Sequence, residues 1–339
     1  MPYRFYFKQP SPTFYNLSKY LQQQGWRRTH FSWRAHFGEK NLHFNLAAAE
    51  TLEFKHLLAQ LVAQYCPHTM PETYVINDDN WSTILNEIAD KYYRQPQQLL
   101  DHVDDLVWIL KPSLLNNGQH IKIFTHLSQL EQHYLQSNRL GGEHVLQRYI
   151  THPHLLRGHK YSTRMFVVIS NYAGAYLYPA GYVNVALLPY QPDDCTDLNS
   201  HLTNEHLSED EANVIQIPTQ EFDFFPAVYR QIASIVTDIV NALQHHFPNA
   251  FVETQPRTLA IFGFDFINDE DGRVWLLEAN HGPCFPIENN HPLQHYLYAD
   301  FWQAFISSFV LPIATQQAAA NIEYPHFQRI NIEMRHRFI

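Results

Sequence analysis

The stretch LAIFGFDFIN-DEDG-RVWLLEAN, residues 259–280, constrains this chain more than any other. Two apolar runs of strand length flank an acidic turn, and Asp271-Gly272 is a strong signal for a two-residue type I′ hairpin. Counting outward from that turn sets Glu270 against Arg273, Ile267 against Leu276 and Asp265 against Glu278. Opposed residues share a face, with Cβ atoms about 4.5–5.5 Å apart, and like charges placed there repel. The period of two adds Asn280 to the same face. Two carboxylates and an amide at a strand end fit a hard divalent cation, because Mg²⁺ takes oxygen ligands and shares them with nucleotide phosphates. On an exposed sheet edge the same acids would simply be solvated. Against that alternative stand Ile261, Phe262, Phe264, Phe266, Trp275 and Leu277, which make both faces apolar.

Upstream, FYNLSKYLQQQGW is amphipathic, and LAAAETLEFKHLLAQLVAQYC repeats its apolar residues at the spacing of one helix that ends before Pro67. MPETYVIND reads as a short strand, and Trp81, Ile84, Leu85, Ile88, Ala89 and Tyr92 follow the pattern of a helix face. From about residue 105 strands dominate: DLVWILK, EHVLQRYI, RMFVVIS, AYLYPAGYVNVALL and the two arms of the hairpin, with a long helix at PAVYRQIASIVTDIVNALQHHF. The expected fold class is α/β (α+β), with mixed, largely antiparallel sheets and flanking helices. The expected division is an N-terminal α/β domain over 1–70, a central subdomain over 71–142 and a C-terminal catalytic domain over 143–339 that closes with the hairpin.

Composition excludes several function classes. With 45% hydrophobic residues the chain can bury a sizeable core. The stretch FWQAFISSFVLPIA is too short and interrupted to span a bilayer, and the N-terminal residues lack the regions of a signal peptide, so a cytoplasmic location and no membrane partner are expected. A net charge of −10 argues against a broad nucleic-acid footprint and against a polyanionic partner, while leaving room for a local basic pocket. Cys66, Cys195 and Cys284 are too scattered for a disulfide framework or a CxxC site and read as reduced, partly buried thiols. Cys284, in a Gly-Pro-Cys turn, has no base assigned to make it a nucleophile. His152 with His154, and His245 with His246, lack a third ligand at zinc spacing.

The hairpin FGFDFINDEDGRVWLLEANHGPCF resembles the closing hairpin of the tubulin tyrosine ligase family of ATP-grasp ligases. Other segments resemble the family in the same order: WILKPS at 108–113, VLQRYI at 145–150, KYSTR at 160–164 and the HLTN of SHLTN at 200–204. The resemblance implies an ATP-grasp fold and an ATP- and Mg²⁺-dependent ligase, with one or two ions, that adds a free amino acid to a protein or peptide acceptor through an acyl phosphate. Asp265, Glu278 and Asn280 are then the metal ligands, and Lys160, Arg164 and Glu278 the catalytic residues. Lys111 and Lys160 would meet phosphates under a loop containing Ser113, Asn116, Asn117 and Gly118, with Lys55 as a further contact. Gln147 and the backbone of Arg148 and Ile150 would read adenine, and Thr203 and Asn204 would orient phosphate or metal.

Taken singly, these residues have plainer readings: a snorkelling Lys111, an ordinary strand-end Gln147, solvated cations at 160 and 164, and turn-forming polar residues at 203 and 204. Three departures from the family pattern stand out. Ser162 replaces the usual Asp, Asn184 stands where an Arg is typical, and the loop after Lys111 has a single glycine. These departures keep two alternatives open: a nucleotide-binding module with little ligase activity that acts through partner binding, and a ligase for small molecules or short peptides.

Overall fold

The strands form three sheets in the computed structural model, which describes residues 2–93, 106–204, 212–288 and 290–331. The first sheet is small and parallel, with β1 (Arg4–Tyr6) between β2 (Arg27–Arg28) and β3 (Phe37–Gly38). The helix α1 (Pro12–Gln23) starts where the Ser11 hydroxyl accepts the Phe14 N–H. Pro12 takes the first helical position, where its missing N–H costs nothing. The single helix expected over residues 46–66 is two, α2 (Leu46–Glu53) and α3 (Lys55–Tyr65), because Phe54 is extended, with ψ 119°. Periodicity does not reveal this break: no Gly or Pro marks it, and both helices bury their apolar residues in one core.

The second sheet collects β4 (Thr73–Ile76), β5 (Trp108–Pro112), β6 (Lys122–Phe124) and β7 (His144–Arg148) in the order β4-β7-β5-β6, all antiparallel. The boundary expected at 142/143 falls just before β7, which this sheet takes between β4 and β5. Ile76, Trp108, Leu110 and Leu146 pack beneath α4 (Trp81–Tyr92) and α5 (Leu127–Leu135). Strand alternation turns Ile109, Lys111 and Gln147 to the other side.

The third sheet has the order β11-β10-β9-β12-β13. Its long members are β9 (His159–Ser170), paired at one end with β8 (Leu155–Leu156), and β10 (Gly174–Ala186). After α6 (Leu198–His201) come β11 (Val214–Pro218), α7 (Phe225–His246), β12 (Leu259–Asn268), β13 (Val274–His281) and finally β14 (Gln328–Ile330), which pairs with β10. Every pairing here is antiparallel. One face, including Met165, Val167, Phe262, Phe264 and Phe266, is sealed by α2, α3 and α7. The opposite face begins as core, with Phe166, Val168, Leu259 and Ile261 under the aromatic residues of the N-terminal lobe and the late helical segment. Along the same alternation β9 then presents Lys160, Ser162 and Arg164, and β12 presents Gly263 and Asp265. Thus one sheet face passes from hydrophobic core to polar wall within a strand length.

The late apolar stretch is longer than expected. The residues QHYLYAD continue its helix backward, so Gln294–Ala314 is a 21-residue helical segment that by length and composition is long and apolar enough to cross a membrane. In this fold 67% of its most apolar window is buried, with Phe301, Trp302, Phe305 and Phe309 packed in the aromatic core.

Candidate active site

Asp265 faces Glu278, as the hairpin count requires, but by a different route. The turn is a three-residue loop closed by Asp269 and Arg273, in which the Gly272 N–H donates to the Asp269 carbonyl and Gly272 takes φ 80°. This shifts the pairing by one, so Ile267 stands against Trp275 rather than Leu276. A bulge at Leu277 then inserts one residue in β13 and restores the opposition of Asp265 and Glu278. The bulge also decides which face Glu278 occupies. Val274, Leu276 and Ala279 all lie in the core, so uninterrupted alternation would have buried Glu278 with Leu276; the extra residue turns it, with Asn280, to the polar wall.

Arg164 lies across from Asp265 on the neighbouring strand and grips its carboxylate at both oxygens, one contact 2.6 Å long. Gly263 leaves the room for this, because a Cβ there would come within 2.8 Å of the Arg164 side chain. Burial lifts the Asp265 carboxyl to about 6 against the pull of that guanidinium, while the Asp265 charge keeps Arg164 protonated. Glu278 behaves oppositely. Burial would raise it, yet Lys55, 3.4 Å away, and Lys111 hold it down at about 2. Asn280 bridges the acids by donating Nδ2 to Asp265 Oδ2 (3.1 Å) and to Glu278 Oε1 (3.2 Å).

Two lysines of the site are buried, Lys111 on β5 of the second sheet and Lys160 on β9 of the third. Lys111 donates to Gln147 Oε1 at 2.8 Å, and Lys160 donates to the Tyr149 hydroxyl at 2.6 Å, with its Nζ 4.1 Å from the centre of that ring. Both of these acceptors are uncharged. Burial lowers Lys111 to about 8, and burial together with the Lys111 charge lowers Lys160 to about 7. Gln147 is fixed from its far side by donating to Thr73 Oγ1 at 2.9 Å, and Tyr149 meets His201 at 2.7 Å. Lys55 also donates to the Leu115 carbonyl at 2.9 Å, so it ties the loop after β5 to Glu278. That loop turns through Asn117 (φ 55°) and Gly118 (φ 71°), which lays Asn116 and Asn117 on the cavity without a glycine-rich sequence.

These groups surround one cavity of about 380 Å³ between the second and third sheets. Lys111, Gln147, Arg148, Ile150, Lys160, Arg164, Thr203, Asn204, Asp265, Glu278 and Asn280 all line it. Ser113 does not. It is buried, its N–H donates to the Glu143 carbonyl, and its hydroxyl is enclosed without a hydrogen-bond partner. Thr203 donates to Ser162 Oγ at 2.8 Å, placing the HLTN segment over β9. Ser162 and Asn184, the two departures in the strands, prove to be direct cross-strand partners, and Asn184 Oδ1 accepts from Gln216 at 3.1 Å.

The cavity wall also includes Glu53, Tyr182 and His281, which sequence reasoning missed because each is a lone residue of an ordinary type, and Tyr149 and His201, which lie in the VLQRYI and HLTN segments but were given no role of their own. The signals that could have found them were proximity in sequence: Tyr149 lies between Arg148 and Ile150, and His281 directly follows Asn280. Burial and nearby His43 lower the pKa of His281. Burial also raises the Cys66 thiol, to about 11, whereas Cys284 is exposed at the cavity wall rather than partly buried. Among the described residues no group of three or more His, Cys, Asp or Glu could hold a metal. His154 instead meets the Tyr161 hydroxyl, and His246 that of Tyr65.

The donor set on the hairpin fits Mg²⁺ under one condition. Glu278 and Asn280 offer oxygen ligands only, and a half-turn of the Asn280 amide exchanges its N–H₂ for its carbonyl oxygen. Asp265 offers lone pairs left over from Arg164. Among the described residues Lys55, Lys111, Lys160 and Arg164 outnumber the acids Glu53, Asp265 and Glu278, so a bare cation is poorly matched and a cation entering with a polyanion is well matched.

Two antiparallel sheets closing on a cavity, each contributing a buried lysine and one of them a carboxylate hairpin, define an α/β protein of ATP-grasp-like fold. The chain belongs to the tubulin-tyrosine ligase family, whose profile matches residues 39–318. It is 23% identical to a probable tubulin polyglutamylase, ttll-9, of Caenorhabditis elegans over 62% of this chain and 54% of that protein. Identity to the probable tubulin polyglutamylase TTLL2 of Mus musculus is 25%, over 64% of this chain and 40% of the relative. For tubulin glycylase 3D of Tetrahymena thermophila it is 24%, over 60% and 21%. The chain therefore spans about half or less of the length of these relatives.

Proposed function

We propose that this chain is an ATP- and Mg²⁺-dependent carboxylate-amine ligase that adds a free amino acid to a protein or peptide acceptor. The observation that carries the reading is the pair of buried lysines, Lys111 and Lys160, which share one cavity with Glu278 and Asn280. Burying an ammonium is costly unless an anion compensates it, and the polyphosphate of ATP is such an anion. A carboxylate oxygen of one substrate attacks the γ-phosphorus of ATP, the bond to the β-phosphate oxygen breaks, and ADP leaves. The amine of the second substrate then attacks the acyl carbon, loses a proton and expels inorganic phosphate, leaving an amide or isopeptide bond.

In this reading Lys111, Lys160 and Arg164 offset the charge on the phosphoryl oxygens, a task of positioning rather than covalent chemistry. Glu278 and Asn280, with Asp265, would hold Mg²⁺, which supplies charge neutralisation at the phosphates. Ile109, Ile121 and Leu202 give the end of the cavity near Gln147 its apolar lining, suited to a base. No side-chain nucleophile is needed.

The neutral Ser162–Asn184 pair supports a second reading, a nucleotide-binding module with little turnover. The relatives' names describe transfer to tubulin by those proteins, and a protein acceptor is carried to this chain only as part of the proposal. The test measures ADP release from MgATP with and without a mixture of amino acids and a protein acceptor pool, with mass spectrometry of the products. Acceptor-dependent ADP release with a modified protein or peptide is expected. A small amide product would redirect the reading to a small-molecule ligase, and MgATP binding without turnover would leave the binding module.

A further inference from the structure

The Tyr149 hydroxyl, which accepts from Lys160, has its own hydrogen placed by a second neighbour. His201, the last residue of α6, is buried beside it, with Nδ1 2.7 Å from the Tyr149 hydroxyl and Nε2 2.8 Å from the Asp194 carbonyl. A carbonyl only accepts, so Nε2 carries the proton. Burial lowers the His201 pKa against the pull of that carbonyl, and the Lys160 charge lowers it further, so at neutral pH the ring is uncharged and Nδ1 is an acceptor. Burial also raises Tyr149 well above its ordinary value, so its hydroxyl keeps one hydrogen to give. Tyr190 stands near the same hydroxyl but donates its own hydrogen to the Thr151 carbonyl at 2.7 Å. Were Tyr149 to donate to Tyr190, His201 Nδ1 would be buried without a donor. The Tyr149 oxygen therefore turns only lone pairs to Lys160, whose Nζ lies 2.6 Å away.

We infer that His201 is a positioning residue that acts on Lys160 through Tyr149; the phosphate-binding role of Lys160 rests on the proposed ligase reading. The three side chains come from the start of β9, the residue after β7 and the end of α6. Hydrogen bonds running from Lys160 through Tyr149 and His201 to Asp194 thus join both sheets of the cavity to the segment that brings Thr203 and Asn204 to its wall. The far end is fixed as well, because the Asp194 carboxylate accepts the Thr196 N–H at 3.0 Å and closes the turn. By donating to His201 the Tyr149 oxygen becomes a better acceptor in its turn, which favours the ammonium form of Lys160 and holds it on the cavity. Without the His201 acceptor the Tyr149 hydrogen is free to be donated to the lysine, which favours the neutral amine. The other titratable groups about Lys160, Lys111 on β5 with Tyr190 and Cys195 ahead of α6, are left in place by a change at 201.

The test separates the two nitrogens of the ring. His201→Asn keeps an acceptor near the place of Nδ1, His201→Gln keeps a donor near that of Nε2, and His201→Phe keeps neither. Lys160 is followed in the nucleotide-free chain by NMR of labelled lysine side chains, its signal identified by its loss in Lys160→Met. His201→Phe and His201→Gln are expected to move its titration to lower pH by about half a pH unit or more, and His201→Asn to leave it in place. MgATP affinity near pH 8 should follow, weakening roughly threefold or more in the first two and little in the third. Tyr149→Phe should weaken it too, and adding His201→Phe to Tyr149→Phe should weaken it no further, because the effect passes through that hydroxyl. A merely structural histidine would lower the melting temperature in all three variants without moving the lysine. Equal behaviour of the Asn and Gln variants, an unmoved Lys160 titration in His201→Phe, or additive losses in the double variant overturns the inference. Absence of MgATP binding by the natural chain would count against the nucleotide reading alone, since the titration is read without nucleotide.

Discussion

Glu278 lies 3.4 Å from Lys55 and directly across from Asp265, so a like-charge pair is held together by cations contributed from other elements. The repulsion expected of opposed carboxylates is outweighed, because Lys55 and Lys111 serve Glu278 while Arg164 serves Asp265.

Removing the Glu278 charge should therefore destabilise the nucleotide-free protein rather than relieve it. The group's pKa falls from 4.5 to about 2 on folding, so its ionised form stabilises the fold. The contribution is fully present above the unfolded value and is lost as pH falls from about 4.5 toward 2. Glu278→Gln should cost roughly 2–3 kcal/mol at neutral pH, lowering the melting temperature by roughly 3–4 °C, and abolish ADP release. The melting difference between the two proteins should shrink as pH drops below about 4.5. A variant as stable as the parent at pH 7 would show that the cations do not stabilise this charge.

The register behind that prediction shows what was legible. Asp265, Glu278 and Asn280 could be placed on one face because the longer turn and the bulge at Leu277 each displace the count by one, in compensating directions. Neither device has a sequence signal here, since DEDG suits two turn lengths and Leu277 is as apolar as its neighbours. The break at Phe54 was hidden for the same reason, although it is what lets Lys55 begin a helix beside Glu278. Ser113 was taken for a phosphate contact from its place two residues after Lys111, and a strand that continues to Pro112 carries it into the interior instead. Strand positions and their chemistry could be read from apolar rhythm, whereas contacts set by loop length or helix ends could not.

Nucleotide binding should take up protons in a defined pH window. In the free protein Lys111 titrates near 8 and Lys160 near 7, each lowered mainly by burial. A bound polyphosphate favours the ammonium forms, so both pKa values rise on binding and MgATP affinity falls as pH increases from about 7 to about 9. Calorimetry in buffers of different ionisation enthalpy should report uptake of roughly one proton at about pH 8, giving way near pH 6 to partial release as Asp265, which burial raises to about 6, ionises against the metal. Lys160→Met should reduce the uptake. Proton release at pH 8, or affinity independent of pH, would remove the lysines from the phosphate site.

Gly263→Ala tests how Arg164 is held. A strand backbone accepts alanine, so the effect should come from the added methyl, which would lie 2.8 Å from Arg164 Cδ. The guanidinium must move off Asp265, leaving two buried charges imperfectly paired, at a cost of roughly 2–4 kcal/mol and most of the ADP release. Thermal unfolding and turnover should fall together. Normal turnover would mean that Arg164 works equally well from another position.

Ser162 and Asn184 supply the last test, because their strands set them side by side. Both are buried, 4% and 6% exposed, and each accepts a hydrogen bond from a neutral partner, Thr203 and Gln216 respectively. Ser162→Asp alone or Asn184→Arg alone would bury a charge without its partner, and each should destabilise the protein by roughly 2–4 kcal/mol. Together the two charges meet across the strands, so the double variant should recover part of that loss, with a coupling of roughly 1–3 kcal/mol. Turnover separates the two functional readings. If the neutral pair belongs to an active ligase with its own substrate, the natural chain releases ADP in an acceptor-dependent way, and the double variant is slower although it is more stable than either single. If the pair marks a lost activity, the natural chain stays at background and the double variant gains turnover. We expect the first outcome, because Lys111, Lys160, Arg164, Glu278 and Asn280 all converge on the one cavity that Ser162 and Asn184 also line.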